Sequence, residues 1–140
     1  MPRALIDTDI FSEIFKKRDP NVANRAMAYQ EEHGAFSITV ITAMEITSGL
    51  HRVRATAQIA RFEAMLAGCE VVGFDEDAAV LAGKMDATLR LRGTPIDLSD
   101  IMIAAIVVGE RVPLVTGNTA HFEAIRDAGY GLALENWRAV

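Results

Sequence analysis

The sequence contains 140 residues, which is enough for one compact domain, expected to span residues 1–140. Hydrophobic residues make up 51% and charged residues 24%, so the chain can bury a core and is not of the disordered class. The net charge of −5 excludes a protein that holds nucleic acid by overall positive charge, but it leaves room for a local basic groove. The single cysteine, Cys69, excludes an internal disulfide framework and a cysteine-rich zinc module.

Neither a secretory signal nor a membrane span is predicted. An acid at position seven does not fit a signal peptide, and the longest apolar run, 101–108, is far shorter than the roughly 18 residues that cross a bilayer. We therefore expect a soluble, cytoplasmic protein with no membrane partner.

Short apolar runs alternate with helical patterns along the chain, which predicts an α/β fold. In chain order, the predicted strands cover residues 4–6, 35–38, 70–74, 113–116 and, as a last edge strand, 130–134. The predicted helices cover residues 10–17 and 20–33, a segment capped by Thr39 or Thr42, a segment that reaches residue 66, then 75–92, 101–108 and 119–127.

The run Ile101 to Val108 is apolar on every side, so a buried strand and a buried helix have the same hydrophobic pattern there. Ser99 as a cap, the paired alanines and the later Pro113 favour a helix. Such a helix must be covered on two sides, and we expect the core of the chain and a second subunit to cover it.

Acidic and polar residues follow the ends of predicted strands or head the inward face of predicted helices. Because sites in open α/β sheets form outside the carboxyl ends of the strands, these side chains are expected to face one crevice. The residues concerned are Asp7, Asp9, Glu45, Asp100, Thr116 and Asn118.

Each acid also has a purely structural interpretation. Asp7 or Asp9 can cap the following helix, and Asp100 can complement a helix dipole. Glu45 can form a salt bridge to Arg52 or Arg54. The histidines lie in unrelated contexts, and His121 is expected to be an ordinary helix residue.

Clustered carboxylates repel one another, and a divalent cation would remove that conflict. Oxygen ligands without cysteine or a histidine cluster favour Mg²⁺ or Mn²⁺. Because such an ion can activate water and bind phosphate oxygens, the pattern favours a phosphodiester substrate.

Four segments resemble the PIN-domain nucleases, in the same order and at similar spacing: Leu5–Ile10, Ile41–Ile46, Pro95–Ala105 and Leu114–Phe122. The closing segment, Leu134–Trp137, is similar to the end of the VapC-like toxins. The resemblance implies a three-layer α/β/α fold with a central, mainly parallel sheet of four to five strands.

The resemblance further implies an Mg²⁺- or Mn²⁺-dependent endoribonuclease, the toxin of a type II toxin–antitoxin pair. Asp7, Glu45 and Asp100 would then be the catalytic, metal-binding acids, supported by Thr8 and Thr116. Two positions depart from the family pattern. Position 9 is often Asn and is Asp here, whereas position 118 is often Asp and is Asn here. Asp9 is therefore expected to support the site, and Asn118 is a supporting residue and a further candidate metal ligand.

The resemblance also implies partners: an RNA substrate, a second copy of the chain, and a VapB-like antitoxin that covers the active groove. Single-stranded RNA is expected, because its backbone can enter a cleft that a regular duplex cannot. The candidate RNA-binding residues are Lys16, Lys17, Arg18, Arg52 and Arg54.

Two alternatives remain open. The Asp7-Thr8-Asp9 sequence also matches a haloacid-dehalogenase-like phosphatase with Asp7 as nucleophile, although Phe11 departs from that pattern. In a non-catalytic binding module, the acids would be only caps and salt-bridge partners.

Overall fold

A computed structural model of the protein describes residues 1–139. The strands are Leu5–Ile6 (β1), Ser37–Thr39 (β2), Glu70–Val72 (β3), Leu114–Val115 (β4) and Leu134–Glu135 (β5). The helices are Thr8–Lys16 (α1), Pro20–His33 (α2), Val40–Arg52 (α3), Thr56–Ala67 (α4), Glu76–Leu91 (α5), Leu98–Glu110 (α6) and Thr119–Ile125 (α7). One π-helical turn, Arg126–Tyr130, continues α7.

The strands form one sheet in the order β3-β2-β1-β4-β5, and every pair is parallel. Leu5 of β1 is in register with Ser37 on one side and with Leu114 on the other. Successive connections move outward from β1 in one direction as far as β3 and then reverse to β4. The crevice between the carboxyl ends of β1 and β4 is therefore the topological switch point, where such sheets bind their ligands.

Helices cover both faces of the sheet and make three layers. Leu5 and Leu114 face a core built from α5, α6 and α7, whereas Ile6 and Val115 face a core built from α1, α2 and α4. This alternation follows from the two-residue period of a strand. The predicted α/β/α fold and the parallel sheet are confirmed.

The all-apolar segment is a helix, as predicted, but α6 begins at Leu98, and Ser99 therefore lies inside it rather than capping it. Ile101 and residues 103–107 are buried within the single chain, mainly against α5 and also against α3 and α7. The core of the single chain therefore covers most of this helix, and additional cover by a second subunit stays a prediction.

Caps explain most of the other boundaries. Asp7 caps α1, which therefore begins two residues before the prediction, and Thr39 rather than Thr42 caps α3. Asp75 caps α5 as predicted. The predicted edge strand 130–134 is wrong, because Gly129 and Gly131 have φ of 96° and 67° and turn the chain; the strand begins only at Leu134.

Within residues 1–139, no helix is both long enough and apolar enough to cross a membrane.

Candidate active site

Asp7 lies at the switch point, directly after β1, and is 4% exposed. Its Oδ1 accepts a hydrogen bond from the Thr8 backbone N–H at 2.8 Å, and its Oδ2 accepts one from Thr116 Oγ1 at 2.8 Å. The pKa of Asp7 is raised to about 7, mainly because the carboxyl is buried and also because the carboxylates of Asp9 and Asp100 lie nearby, while the two hydrogen bonds oppose the rise. The capping interpretation is thus correct for Asp7, but it does not account for a buried carboxylate near two other acids.

Asp9 connects α1 to the loop after β4. Its Oδ2 accepts a hydrogen bond from the Gly117 backbone N–H at 3.0 Å and lies 3.4 Å from Arg138 Nη1. A Cβ on residue 117 would lie 2.7 Å from Asp9 Oδ2 and would collide with the Arg138 guanidinium, so this approach requires glycine. The sequence interpretation did not single out Gly117 or Arg138.

Glu45 reaches the site through Thr8. Thr8 Oγ1 donates to Glu45 Oε1 at 2.7 Å and lies 2.9 Å from Thr42 Oγ1. Among residues 1–139, Glu45 forms no salt bridge, so the alternative in which Arg52 or Arg54 pairs with it is wrong.

Asp100, in the first turn of α6, lies across from the loop after β4. Its Oδ2 is 3.0 Å from His121 Nδ1, and Asn118 Nδ2 is 2.9 Å from the same ring nitrogen. The Asn118 backbone N–H also donates to Thr116 Oγ1, at 3.0 Å. His121 is therefore not an ordinary helix residue: it lies one turn beyond Asn118 and orients Asp100.

The donor set fits a hard divalent cation. Asp7 is a buried carboxylate whose pKa is raised partly by Asp9 and Asp100, and a cation at that position would relieve the repulsion. In the described part of the chain, no three His, Cys, Asp or Glu side chains already stand close enough to form a complete ligand set. A bound ion would therefore have to draw the carboxylates together.

The five predicted RNA-binding residues do not contact these acids. Lys16, Lys17 and Arg18 are exposed at the far end of α1, about 13 Å along the helix from Asp7, and Arg18 lies 3.8 Å from Glu13. Arg52 and Arg54 are exposed at the end of α3.

A change at Thr8 tests the link to Glu45. Thr8→Val keeps the shape of the side chain but removes the hydroxyl, so Glu45 loses the only side-chain hydrogen bond that it accepts within residues 1–139. We expect catalytic activity to fall about tenfold or more, as is usual when a group that orients a metal ligand is lost. Thr8→Ser should restore most of it, and Thr94→Val, at an exposed loop residue, should change nothing. Equal rates for Thr8→Val and wild type would show that this contact is incidental.

Comparison with known proteins assigns the family. Residues 4–127 match the model of the PIN domain. The chain is 30% identical over 127 residues to ribonuclease VapC1 of Methanocaldococcus jannaschii, covering 91% of this chain and 84% of that protein. It is 28% identical over 138 residues to the tRNA(fMet)-specific endonuclease VapC of Shigella flexneri, covering 98% of this chain and 99% of that protein.

Solved structures show the same architecture. DNA-bound VapBC from Salmonella typhimurium has a chain that matches with a TM-score of 0.83 at 27% identity, covering 98% of this chain and 99% of that one. VapBC2 from Rickettsia felis, bound to a promoter DNA fragment, matches in fold with a TM-score of 0.82 at 22% identity, covering 96% and 98%. These matches support a PIN-domain protein rather than the alternative of a haloacid-dehalogenase-like phosphatase. The chain belongs to the PIN-domain family and is a VapC-like member of it.

Proposed function

We propose that this protein is an Mg²⁺- or Mn²⁺-dependent endoribonuclease and the toxin of a type II toxin–antitoxin pair. The observation that carries the proposal is the placement of Asp7, buried at the β1–β4 switch point with Asp9 and Asp100 close enough to raise its pKa. Such an arrangement is unfavourable for folding, and carboxyl groups with pKa values perturbed in this way cluster at functional sites.

Asp7, Glu45 and Asp100 would hold the metal, with Asn118 as a further candidate ligand. When bound, the ion supplies a water of lowered pKa and a positive charge for the scissile phosphate. The chain's own residues orient the ligands: Thr116 holds Asp7, Thr8 holds Glu45, and His121 holds Asp100. Asp9 fixes the loop after β4 through Gly117 and so keeps Thr116 in place.

The partners follow from the relatives. Because the similar solved structures are VapBC assemblies, a VapB-like antitoxin is proposed to cover this groove and inhibit the toxin. The relatives are named as a ribonuclease and a tRNA-specific endonuclease, so RNA with an accessible single-stranded backbone is the proposed substrate. We further propose that the protein works in the cytoplasm and forms a homodimer.

The test is an RNA cleavage assay on toxin separated from its antitoxin. The gene is co-expressed with a small adjacent reading frame, the complex is purified, and the toxin is separated and refolded. Addition of Mg²⁺ or Mn²⁺ should produce discrete internal cuts in total RNA, and EDTA or re-added antitoxin should stop them. Refolded protein that cleaves no RNA with either ion, or that cleaves equally well in EDTA, would contradict the proposal.

A further inference from the structure

Arg138 supplies a positive charge at the rim of the acid site. Its Nη1 lies 3.4 Å from Asp9 Oδ2, and its Nη2 lies 3.6 Å from Glu13 Oε1, one turn further along α1. Among residues 1–139, it is the only Lys or Arg that forms a salt bridge with Asp7, Asp9, Glu45 or Asp100. The cation nearest the proposed chemistry therefore comes from the segment after β5.

The backbone that carries Arg138 is firmly anchored. Trp137 is 2% exposed and packs in the core beside α2. On either side of it, the Asn136 carbonyl accepts a hydrogen bond from Arg25 Nη1 at 2.7 Å, and the Arg138 carbonyl accepts one from Asn21 Nδ2 at 3.2 Å. These contacts fix the position of the backbone, so the guanidinium is held over the Asp9 and Gly117 side of the crevice.

The guanidinium itself is only loosely paired. Charge-assisted hydrogen bonds are usually about 2.7–2.9 Å long, and both contacts of Arg138 are longer. By contrast, the Arg3–Glu70 pair is a short salt bridge, with 2.6 Å between Arg3 Nη2 and Glu70 Oε1. Because the Arg138 side chain is 38% exposed and a guanidinium carries five N–H donors, a ligand can reach it from solvent.

We infer that Arg138 is a substrate-binding residue that grips a phosphate of the RNA backbone at the entrance to the acid site. The inference rests on the proposed function. A phosphate that approaches Asp9 is repelled by the acids, and a guanidinium there offsets the repulsion and offers a bidentate donor pair. Gly117 has no side chain, so the guanidinium can lie directly against the loop after β4, beside Asp9. A bound phosphate would take the place of Glu13 as a partner of the guanidinium, while Arg138 stays beside Asp9.

The competing explanation is that Arg138 only fastens the end of the chain to α1. An exposed ion pair of this length adds little to stability, so that role would show as at most a small change in melting temperature. Binding to RNA would instead change the affinity for RNA and its dependence on salt, because each phosphate contact releases counterions. The two explanations therefore differ in a measurement other than stability.

The experiment measures binding of a fluorescein-labelled single-stranded RNA of mixed sequence by anisotropy, in EDTA, from 50 to 300 mM KCl. Arg138→Gln should weaken binding roughly fivefold to tenfold and reduce the slope of log affinity against log salt by about 0.7. The RNA affinity of Arg138→Lys should lie between those of Arg138→Gln and wild type, because lysine keeps the positive charge but cannot donate two parallel hydrogen bonds to one phosphate. Arg90→Gln, which removes an equal charge from the exposed pair with Asp86, should change the affinity by less than about twofold.

A second variant changes the same interaction in the opposite direction. Glu13→Gln removes a competitor for the guanidinium, so RNA affinity should rise about twofold while the fold is kept. Equal affinity and salt slope for Arg138→Gln and wild type would overturn the assignment, whether or not wild type cleaves. A wild-type chain that binds RNA but does not cleave it fails the proposed function alone, and one that binds no RNA overturns both.

Discussion

Asp7→Asn should abolish RNA cleavage and at the same time stabilise the metal-free protein. Loss of a ligand that positions the ion removes several kcal/mol of transition-state stabilisation, so the rate should fall about a thousandfold. Stability should rise because the variant no longer buries a carboxylate whose pKa is raised to about 7. Most substitutions of buried residues destabilise, so a gain here would be diagnostic.

The difference in stability between Asp7→Asn and wild type should depend on pH. The Asp7 carboxyl has a pKa near 7 in the folded state and 3.8 as its ordinary value, so the folded state binds the proton more tightly. The wild type should therefore lose stability relative to Asp7→Asn as the pH rises from about 4 to about 7, by roughly 4 kcal/mol in total. Above that range, the difference should be constant.

The measurement is a set of thermal or urea melts of both proteins in EDTA between pH 5 and pH 8, beside a cleavage assay. Asp127→Asn is the matched control, because that carboxylate is exposed and pairs only with its neighbour Arg126 in the described chain. The control should retain both activity and the wild-type pH profile. Normal cleavage by Asp7→Asn would remove this residue from the catalytic set, and an Asp7→Asn melt that follows wild type at every pH would refute the burial argument.

Mg²⁺ or Mn²⁺ should raise the melting temperature of the wild-type protein. An ion that binds only the folded state adds about 2.7 kcal/mol at a concentration one hundred times its dissociation constant. For a domain of this size, the gain corresponds to a shift of about 10 °C. Mn²⁺ should act at lower concentration than Mg²⁺, following the general order of affinity for divalent ions at oxygen and nitrogen ligands.

The shift should saturate with ion concentration, reverse with EDTA and nearly vanish in Asp7→Asn, whereas Asp127→Asn should keep it in full. Potassium chloride at equal ionic strength separates site binding from a general salt effect. A wild-type melting temperature that does not respond to either ion would favour the non-catalytic binding module, in which the acids have only structural roles.

The sequence was sufficient to predict where the acids meet. Asp7 and Thr116 each follow a short buried strand, so the parallel arrangement alone places them at one edge, and the structure joins them by a hydrogen bond. Helix α6 was predicted from the paired alanines and the later Pro113, because the eight consecutive apolar residues alone would also fit a buried strand.

The remaining contacts depend on tertiary packing that no local pattern encodes. Arg138 reaches Asp9 because the burial of Trp137 holds the end of the chain beside α2. The two residues are 129 positions apart, so their spacing in the sequence could not predict the contact. His121 had a weak signal: it lies three residues after Asn118, which places both on one helical face beside Asp100. The last edge strand was predicted too early because two glycines with positive φ, Gly129 and Gly131, turn the chain there, and a hydrophobic pattern does not reveal such a turn.

The hydrogen bonds that build the acid site join residues far apart in the chain: Asp7 with Thr116, Asp9 with Gly117, and Thr8 with Glu45. A cut in the turn at Gly68, between α4 and β3, would put Asp7 and Glu45 on one fragment and Asp100 and Thr116 on the other. Neither fragment would hold the complete set of candidate catalytic acids. Ribonuclease activity would therefore require that the two halves reassociate and restore the hydrogen bonds between them.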